Sequence, residues 1–403
     1  MKFQPPKGTR DLMPEDAAKM QKIIEIVRST FERYGFEPLM TPAFESFELL
    51  SAKGGLGEAV KDEIYYFKDK SNRELGLRFD LTMPLARVAS SNPQIPKPFK
   101  RYAIDTVWRY DNPQAKRWRQ FFQADVDIVG STGIDADAEV IAVACKCLEA
   151  LGFKDFRIRT NDRGLLERFL KSIGLEKTVD VFRTIDKLDK IGEDGVEAEL
   201  KSKGIDERRI NEIIKFIKSG KNTEFKQLLG KLAAYGCEKY VDIDFSLVRG
   251  LEYYTGIVFE INLGANVSCG GGGRYDSLIR TVGGVDLPAT GISLGLDRIL
   301  EVMKEKKMFD EKKITKVFVA NAGDTLKDAI EIAESLRGKG IDCQTNVMEW
   351  SLAKQMEYAS KSGIPYVIIV GEKEIASKKF KLRDMKRKVE EELEFENIIK
   401  RLV

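Results

Sequence analysis

At 403 residues the chain exceeds one ordinary domain, and a prior of roughly 150 residues per domain predicts two or three. Hydrophobic residues at 43% and charged residues at 33% describe a soluble globular protein and exclude a disordered one, while a net charge of +3 leaves any nucleic-acid contact to local patches. The chain contains no histidine, which excludes Ser-His-Asp and Cys-His triads, imidazole bases and histidine-ligated metals together.

From the N-terminus, MKFQPPKGTRD lacks an apolar core of signal-peptide length, and no window reaches the ~18 apolar residues of a membrane span. Apolar residues at helical spacing (Met20, Ile23, Ile24, Val27, Phe31) predict a helix from Asp16 to Tyr34, stopped by Gly35. Phe36 to Phe47 alternates around two prolines, as an interrupted or edge strand does. Further strands are predicted at Glu63–Phe67, Leu75–Asp80, Lys100–Tyr110, Arg119–Val129, Phe156–Thr160, Tyr254–Leu263 and Thr290–Leu294. With few helices between them, the sheet is expected to be mostly antiparallel. Leu165 to Ala234 changes to a Lys-, Glu-, Ile- and Leu-rich helical pattern, which predicts a helical insertion. A helix over Asp297–Lys307 and a lysine-rich linker then lead into strands at Lys316–Ala320, Asp342–Asn346 and Tyr366–Val370, spaced by helices as in βαβ crossovers. Cys145, Cys147, Cys237, Cys269 and Cys343 lack paired CxxC spacing and read as reduced thiols, with no metal ligand expected from His or Cys.

Five polar segments carry chemistry. Arg101 to Gly130 places Arg109, Arg117 and Arg119 on two candidate strands and a loop. If the strands pair, Arg109 and Gln123 share a face beside Asp127. Guanidinium groups grip phosphoryl oxygens in pairs and a carboxylate holds an amine, although a strand pair laced with ion pairs fits the spacing equally. In LGLRFDLTMPLAR, Asp80 and Thr82 point the same way, toward an amino group or as caps of a helix near Pro84. Arg249 precedes Gly250 and the Tyr253-Tyr254 pair. The glycines at 270–273 fit neither the dinucleotide nor the P-loop template and read as close backbone approach or a turn. TGISLGLDRIL starts a helix at Asp297 and Arg298.

Taken in this order, the segments resemble the motifs of class II aminoacyl-tRNA synthetases: Gly35 to Glu45 with a strand-bound Pro42 resembles motif 1, Arg109 to Gln123 motif 2, and Gly291 to Arg298 motif 3. LVRGLEYY at 247–254, GGGRYD at 271–276 and the opening KGTRDLMP resemble signatures of the histidyl-tRNA synthetase family, and the triplet Asp80-Leu81-Thr82 resembles its archaeal and eukaryotic branch. The resemblance implies an α+β fold: a catalytic core with a mostly antiparallel sheet flanked by helices over 1–164 and 236–310, a helical insertion over 165–235, and an α/β anticodon-binding domain over 315–403. It implies a histidine-tRNA ligase using ATP with Mg²⁺, partnered by tRNA(His), homodimeric and cytoplasmic, with no membrane association. Arg109 and Arg249 would be catalytic, with Arg109, Arg117 and Arg298 on the ATP phosphates and Phe121 on the adenine. Asp80, Leu81, Thr82, Arg109, Gln123, Asp127, Arg249, Tyr253 and Tyr254 would surround L-histidine, and Gln114 and Arg119 would meet the tRNA acceptor end. The basic run Lys378–Lys388 is an RNA-facing candidate or a solvated hairpin. The chain departs from many relatives in carrying Ala115-Lys116 where they have Lys-Gly. Two other readings remain open. One is a histidine-binding regulatory paralogue of an ATP phosphoribosyltransferase, against which Arg109, Arg249, Arg298 and the C-terminal unit argue. The other is a class II synthetase for proline, threonine or glycine.

Overall fold

A computed structural model describes residues 3–52, 63–110, 118–219, 225–249, 253–264, 268–309 and 314–402, which fall into two compact units, Met1–Phe309 and Asp310–Val403. The first unit holds strands β1 (Glu37–Pro38), β2 (Phe44–Ser46), β3 (Tyr66–Lys68), β4 (Glu74–Leu77), β5 (Phe99–Trp108), β6 (Gln120–Val129), β7 (Arg157–Asp162), β8 (Val241–Ile243), β9 (Ile257–Asn262), β10 (Ser268–Arg274) and β11 (Ala289–Gly295). Eight of them form one sheet in the order β1-β5-β6-β11-β10-β9-β7-β8, and β2-β4-β3 form a small second sheet. Only the outermost pairs of the large sheet, β1 with β5 and β7 with β8, run parallel. The mostly antiparallel expectation therefore holds.

The first helix, Pro14–Arg33, starts where the residue types favour it: Pro14 needs no N–H in the first turn, and Glu15 and Asp16 complement the positive helix end. Its buried face (Met20, Ile23, Ile24, Val27, Phe31) packs in the main core, and Gly35 at φ +73° ends the run. Behind the sheet, Ile134–Ala150 is buried along most of its length, with Cys145 and Cys147 fully inside. The predicted helical stretch is observed as five helices, Arg163–Ser172, Val179–Ile185, Leu188–Ser202, Glu207–Ser219 and Lys226–Ala234, and the first four share a cluster including Leu166, Leu170, Val181, Phe182 and Ile213.

One sequence expectation changes, and the glycine run resolves to one of its two readings, close backbone approach. Pro42 lies between β1 and β2 and not in a strand; the Thr41 and Pro42 carbonyls there accept from Arg78 Nη1. Proline has no N–H to donate to a ladder, so the chain breaks at it. The glycine run is no turn, but the body of β10. A Cβ on Gly272 would lie 1.9 Å from the Gly291 carbonyl oxygen, and one on Gly270 2.4 Å from that of Ser293. Only glycine lets neighbouring backbone press this close.

The second unit carries β12 (Val317–Ala322), β13 (Cys343–Thr345), β14 (Tyr366–Gly371), β15 (Lys379–Asp384) and β16 (Val389–Glu394) in the order β13-β12-β14-β15-β16. Its first three strands are parallel, joined by helices Leu326–Arg337 and Leu352–Lys361, and the basic run forms β15 and the turn into the acidic β16 of a hairpin. Among the described residues no helix is long and apolar enough to cross a membrane.

Candidate functional site

The site grows from the hairpin β5-β6. Ten-residue strands pair so that Arg101 faces Asp127 and Asp105 faces Gln123, and β11 on the other side sets Gly291 against Asp127 and Ser293 against Asp125. Alternation puts Gln123, Asp125 and Asp127 on one face of β6. The glycines of β10 and β11 remove side chains opposite them and leave a cleft in two connected chambers.

The outer chamber encloses about 300 Å³, lined among others by Arg109, Trp118, Phe121, Arg249 and Arg298. Arg109 donates from Nε to the Phe79 carbonyl at 3.0 Å, and its guanidinium carbon sits 5.2 Å from the Phe121 ring centre. Arg298, on the helix Leu296–Glu305, donates to the Ser268 carbonyl. Asp297 is the one carboxylate lining this chamber among the described residues, and it is already engaged by the Phe122 N–H at 2.7 Å and by Arg10 at 2.9 Å. Arg249 holds φ +64°, a left-handed backbone that costs about 1 kcal/mol or more for a non-glycine residue. Its N–H donates to Asp186 Oδ1 at 3.1 Å and its Nη1 lies 3.7 Å from Glu260. Gly271 makes room for it: a Cβ there would fall 1.9 Å from Arg249 Nη1.

The inner chamber, about 60 Å³, is lined by Asp80, Thr82, Asp125, Asp127, Tyr253, Tyr254 and Tyr275, and it shares Arg109, Gln123, Arg249, Gly271 and Ser293 with the outer one. Of the two predicted roles of Asp80, the cap is observed and one oxygen stays open to the chamber. Its Oδ1 accepts the Thr82 and Met83 N–H groups at 3.1 and 2.9 Å, capping the helix Thr82–Ser91, while its Oδ2 is buried without a hydrogen bond. Asp127 accepts the Tyr275 hydroxyl, and Arg101 Nη2 stands 2.7 Å from its other oxygen as an ion contact off the hydrogen-bond axis. Gln123 donates to the Ser293 hydroxyl at 2.5 Å. The tyrosine rings of 253 and 254 sit 4.7 Å apart, and Tyr275 meets Tyr253 edge-on at 5.8 Å.

Burial raises the carboxyls of Asp80 and Asp127 above the ordinary range, against Met83 N–H and Arg109 for the first and Arg101 and Tyr275 for the second. Asp125 rises to about 7, again by burial first, opposed by Arg101 and reinforced by Asp127. Burial also lifts the Tyr253 and Tyr275 hydroxyls well above their usual value, so they stay protonated donors.

Of the sequence-predicted residues, the fold gathers Asp80, Thr82, Arg109, Phe121, Gln123, Asp127, Arg249, Tyr253, Tyr254 and Arg298 around this cleft. Leu81 turns into a cluster with Ala103 and Val107, and only its carbonyl points toward the site, accepting from Arg101 at 2.9 Å. Arg119 lies over the Tyr110 ring at 4.0 Å and does not line the cleft. Gln114 and Arg117 fall outside the described residues. Sequence reasoning missed Asp125, Arg101 and Tyr275; the Gln123-Asp125-Asp127 alternation marked the first, and nothing local marked that Arg101 would be wholly buried beneath Asp127.

The family model described as histidyl-tRNA synthetase matches residues 8–299, and the one described as anticodon binding domain matches residues 316–403. The chain is 36% identical to the histidine–tRNA ligase of Thermococcus kodakarensis, over 98% of this chain and 97% of the relative. It is 40% identical to that of Aeropyrum pernix over 92% of this chain and 91% of the relative. Among solved structures it is similar to histidyl-tRNA synthetase from Nostoc sp. PCC 7120, with a TM-score of 0.86, 29% identity and full coverage of both chains.

Proposed function

The chain belongs to the histidyl-tRNA synthetase family, and from that premise we propose how its two-chamber cleft divides the work between nucleotide and amino acid. The protein is a histidine–tRNA ligase of class II, ATP-dependent, with an anticodon-binding domain at its C-terminus. Histidine's carboxylate attacks the α-phosphorus of ATP and pyrophosphate leaves. A ribose hydroxyl at the 3′ end of tRNA(His) then attacks the carbonyl of the adenylate, and AMP leaves.

The observation that carries the residue assignment is the meeting of an arginine-lined chamber with a carboxylate-lined one at Arg109, Gln123 and Arg249. A substrate with its ammonium and ring in the inner chamber presents its carboxylate at that junction, where a phosphate gripped by Arg109 and Arg298 arrives from the other side. Phe121 offers its face to the adenine, and Arg249 cancels charge on the five-coordinate phosphorus. The carboxylate is already ionised, so the first step needs orientation and charge cancellation more than a base. For the second step we take the adenylate's own phosphate oxygen as the proton acceptor. Rejection of other amino acids follows from the polar lining: a side chain without ring nitrogens leaves buried oxygens unpaired, which discriminates by far more than apolar fit.

The outer chamber's one carboxylate is occupied by Arg10 and the Phe122 N–H, so among the described residues that chamber does not itself furnish a free ligand set for Mg²⁺. The cation enters as part of the nucleotide substrate, on its phosphates with water completing the shell. Gln114, Arg117 and Arg119 are assigned to the acceptor end and outer phosphates, Lys378–Lys388 to RNA, and the division at 165–235 to an insertion between the halves of the core. The chain works as a homodimer in the cytoplasm without membrane association. Amino-acid-dependent ATP–pyrophosphate exchange across all twenty amino acids tests the reading: histidine is expected to support exchange alone, and exchange driven by a different amino acid overturns the specificity.

A further inference from the structure

Four buried acceptor oxygens around the inner chamber make no hydrogen bond: Asp80 Oδ2, Gln123 Oε1, Asp125 Oδ1 and Asp127 Oδ2. A buried acceptor left unpaired is costly, so a ligand that brings donors is favoured by each of them. Histidine brings three donors on its ammonium and one on a neutral imidazole, or two on a charged one. Asp127 Oδ2 is already met by Arg101, so the acceptors still open are Asp80 Oδ2, Gln123 Oε1 and Asp125 Oδ1, and Asp125 supplies one of the two open carboxylate oxygens for the donors of the ammonium and the ring.

Charge points the same way. Arg101 lies against Asp127, and Asp80 is satisfied at one oxygen by two backbone N–H groups. Asp125, 3% exposed, has no cation in contact. It faces Asp127 on its own strand, Arg101 from β5, Ser293 from β11 and Asp80 from the segment before the helix Thr82–Ser91. Three carboxylates thus border a chamber that Arg109 and Arg249 line and Arg101 underlies, and among the described residues Asp125 is the one of the three with neither a cation in contact nor a backbone N–H bonded to it.

Resting on the histidine reading above, we propose that Asp125 is a further specificity-determining residue, whose free Oδ1 accepts an N–H of the bound histidine as the third carboxylate of the pocket. Because burial brings its carboxyl up to about 7, the acceptor is lost in the free enzyme as pH falls through that value. The sign is an acid-side fall in kcat/KM for histidine.

Pyrophosphate exchange by D125N, compared with wild type from pH 5.5 to 8.5, tests this. The expected result is a KM for histidine at least tenfold higher, with kcat and the KM for ATP within about twofold of wild type. The wild-type profile should show an acid limb that D125N lacks; the ring of free histidine titrates in both and cancels in the comparison. D125N with an unchanged KM for histidine and an unchanged acid limb overturns the assignment. Should D125N fail to fold, Asp125→Glu keeps the charge and moves the oxygens by one methylene: a raised KM for histidine alone supports the proposal, and a wild-type KM overturns it. A wild-type chain that exchanges with some other amino acid sinks the histidine reading itself, whereas histidine exchange with an unmoved variant sinks only the role of Asp125.

Discussion

Replacing Arg101 by methionine removes the one guanidinium beneath the inner chamber while keeping most of its aliphatic volume. Arg101 is 0% exposed, and Asp127, 2.7 Å away, is 2% exposed. Truncating one partner of a buried pair strands the other charge and costs about 3–5 kcal/mol. Two unpaired nitrogens lower the figure here. Arg101 Nε and Nη1 are buried without hydrogen bonds, so their removal relieves a penalty of about 1 kcal/mol each at the low end of the usual range. The expected loss is therefore about 1–3 kcal/mol. The pH dependence has a definite sign. Burial already raises Asp127 above its unfolded value, and Asp125 to about 7, with Arg101 holding both down. Without the guanidinium the folded-state values rise further. A carboxyl whose folded value exceeds its unfolded one makes stability fall with rising pH between the two. The R101M deficit relative to wild type is thus smallest near pH 6 and grows above about pH 7, by up to about 1.4 kcal/mol per pH unit for one proton. Urea unfolding followed by circular dichroism at pH 6 and 8.5 measures it, and Asp127→Asn in the R101M background should recover part of the loss. A deficit below 1 kcal/mol at both pH values, or one that grows on acidification, refutes the reasoning.

Arg249→Ala should lower histidine-dependent exchange by about 10²–10³-fold, the range for removing one charge-stabilising donor, while urea unfolding changes by less than 1 kcal/mol because this side chain is partly exposed. Retained exchange would remove Arg249 from the chemistry. Gly291→Ala puts a Cβ 1.9 Å from Asp127 Oδ1, which must swing away and weaken its bond to Tyr275. A charge-assisted hydrogen bond is worth about 1.5–3 kcal/mol, so the KM for histidine should rise about tenfold or more while the KM for ATP stays. A parallel rise in both KM values would place the damage in the sheet and not in the pocket.

How much of this was legible in the sequence depended on how local each cause is. The Gln123 and Asp127 pairing follows from a period of two, and Pro14 and Gly35 announce their helix within a turn of its ends. Asp80 was legible as either cap or ligand because the residue type suits both, and in the fold one oxygen caps the helix while the other has no hydrogen bond. Asp125 lies in the same alternation between Gln123 and Asp127, so its face was legible while its lack of a contacting cation was not. Arg101 could not be weighed, since its burial depends on the register of β5 against β6 and on Leu81, 20 residues away. The glycine run left close approach and turn both open for the same reason: its poor strand preference is overruled by backbone pressed against it from β9 and β11, which only the pairing reveals.

That glycine strand limits how the pocket can change. Where β10 borders the inner chamber, at Gly271 and Gly272, the wall is main chain, with no side chain to trim or lengthen and no space for one to be added. Any alteration of amino-acid preference, in the laboratory or in descent, has to be written in the side chains around it, those of β6, the segment at Asp80, Ser293 and the three tyrosines. A library aimed at a new substrate gains nothing from randomising Gly270–Gly273, and its useful positions reduce to a handful of polar residues that already answer to one another's charge.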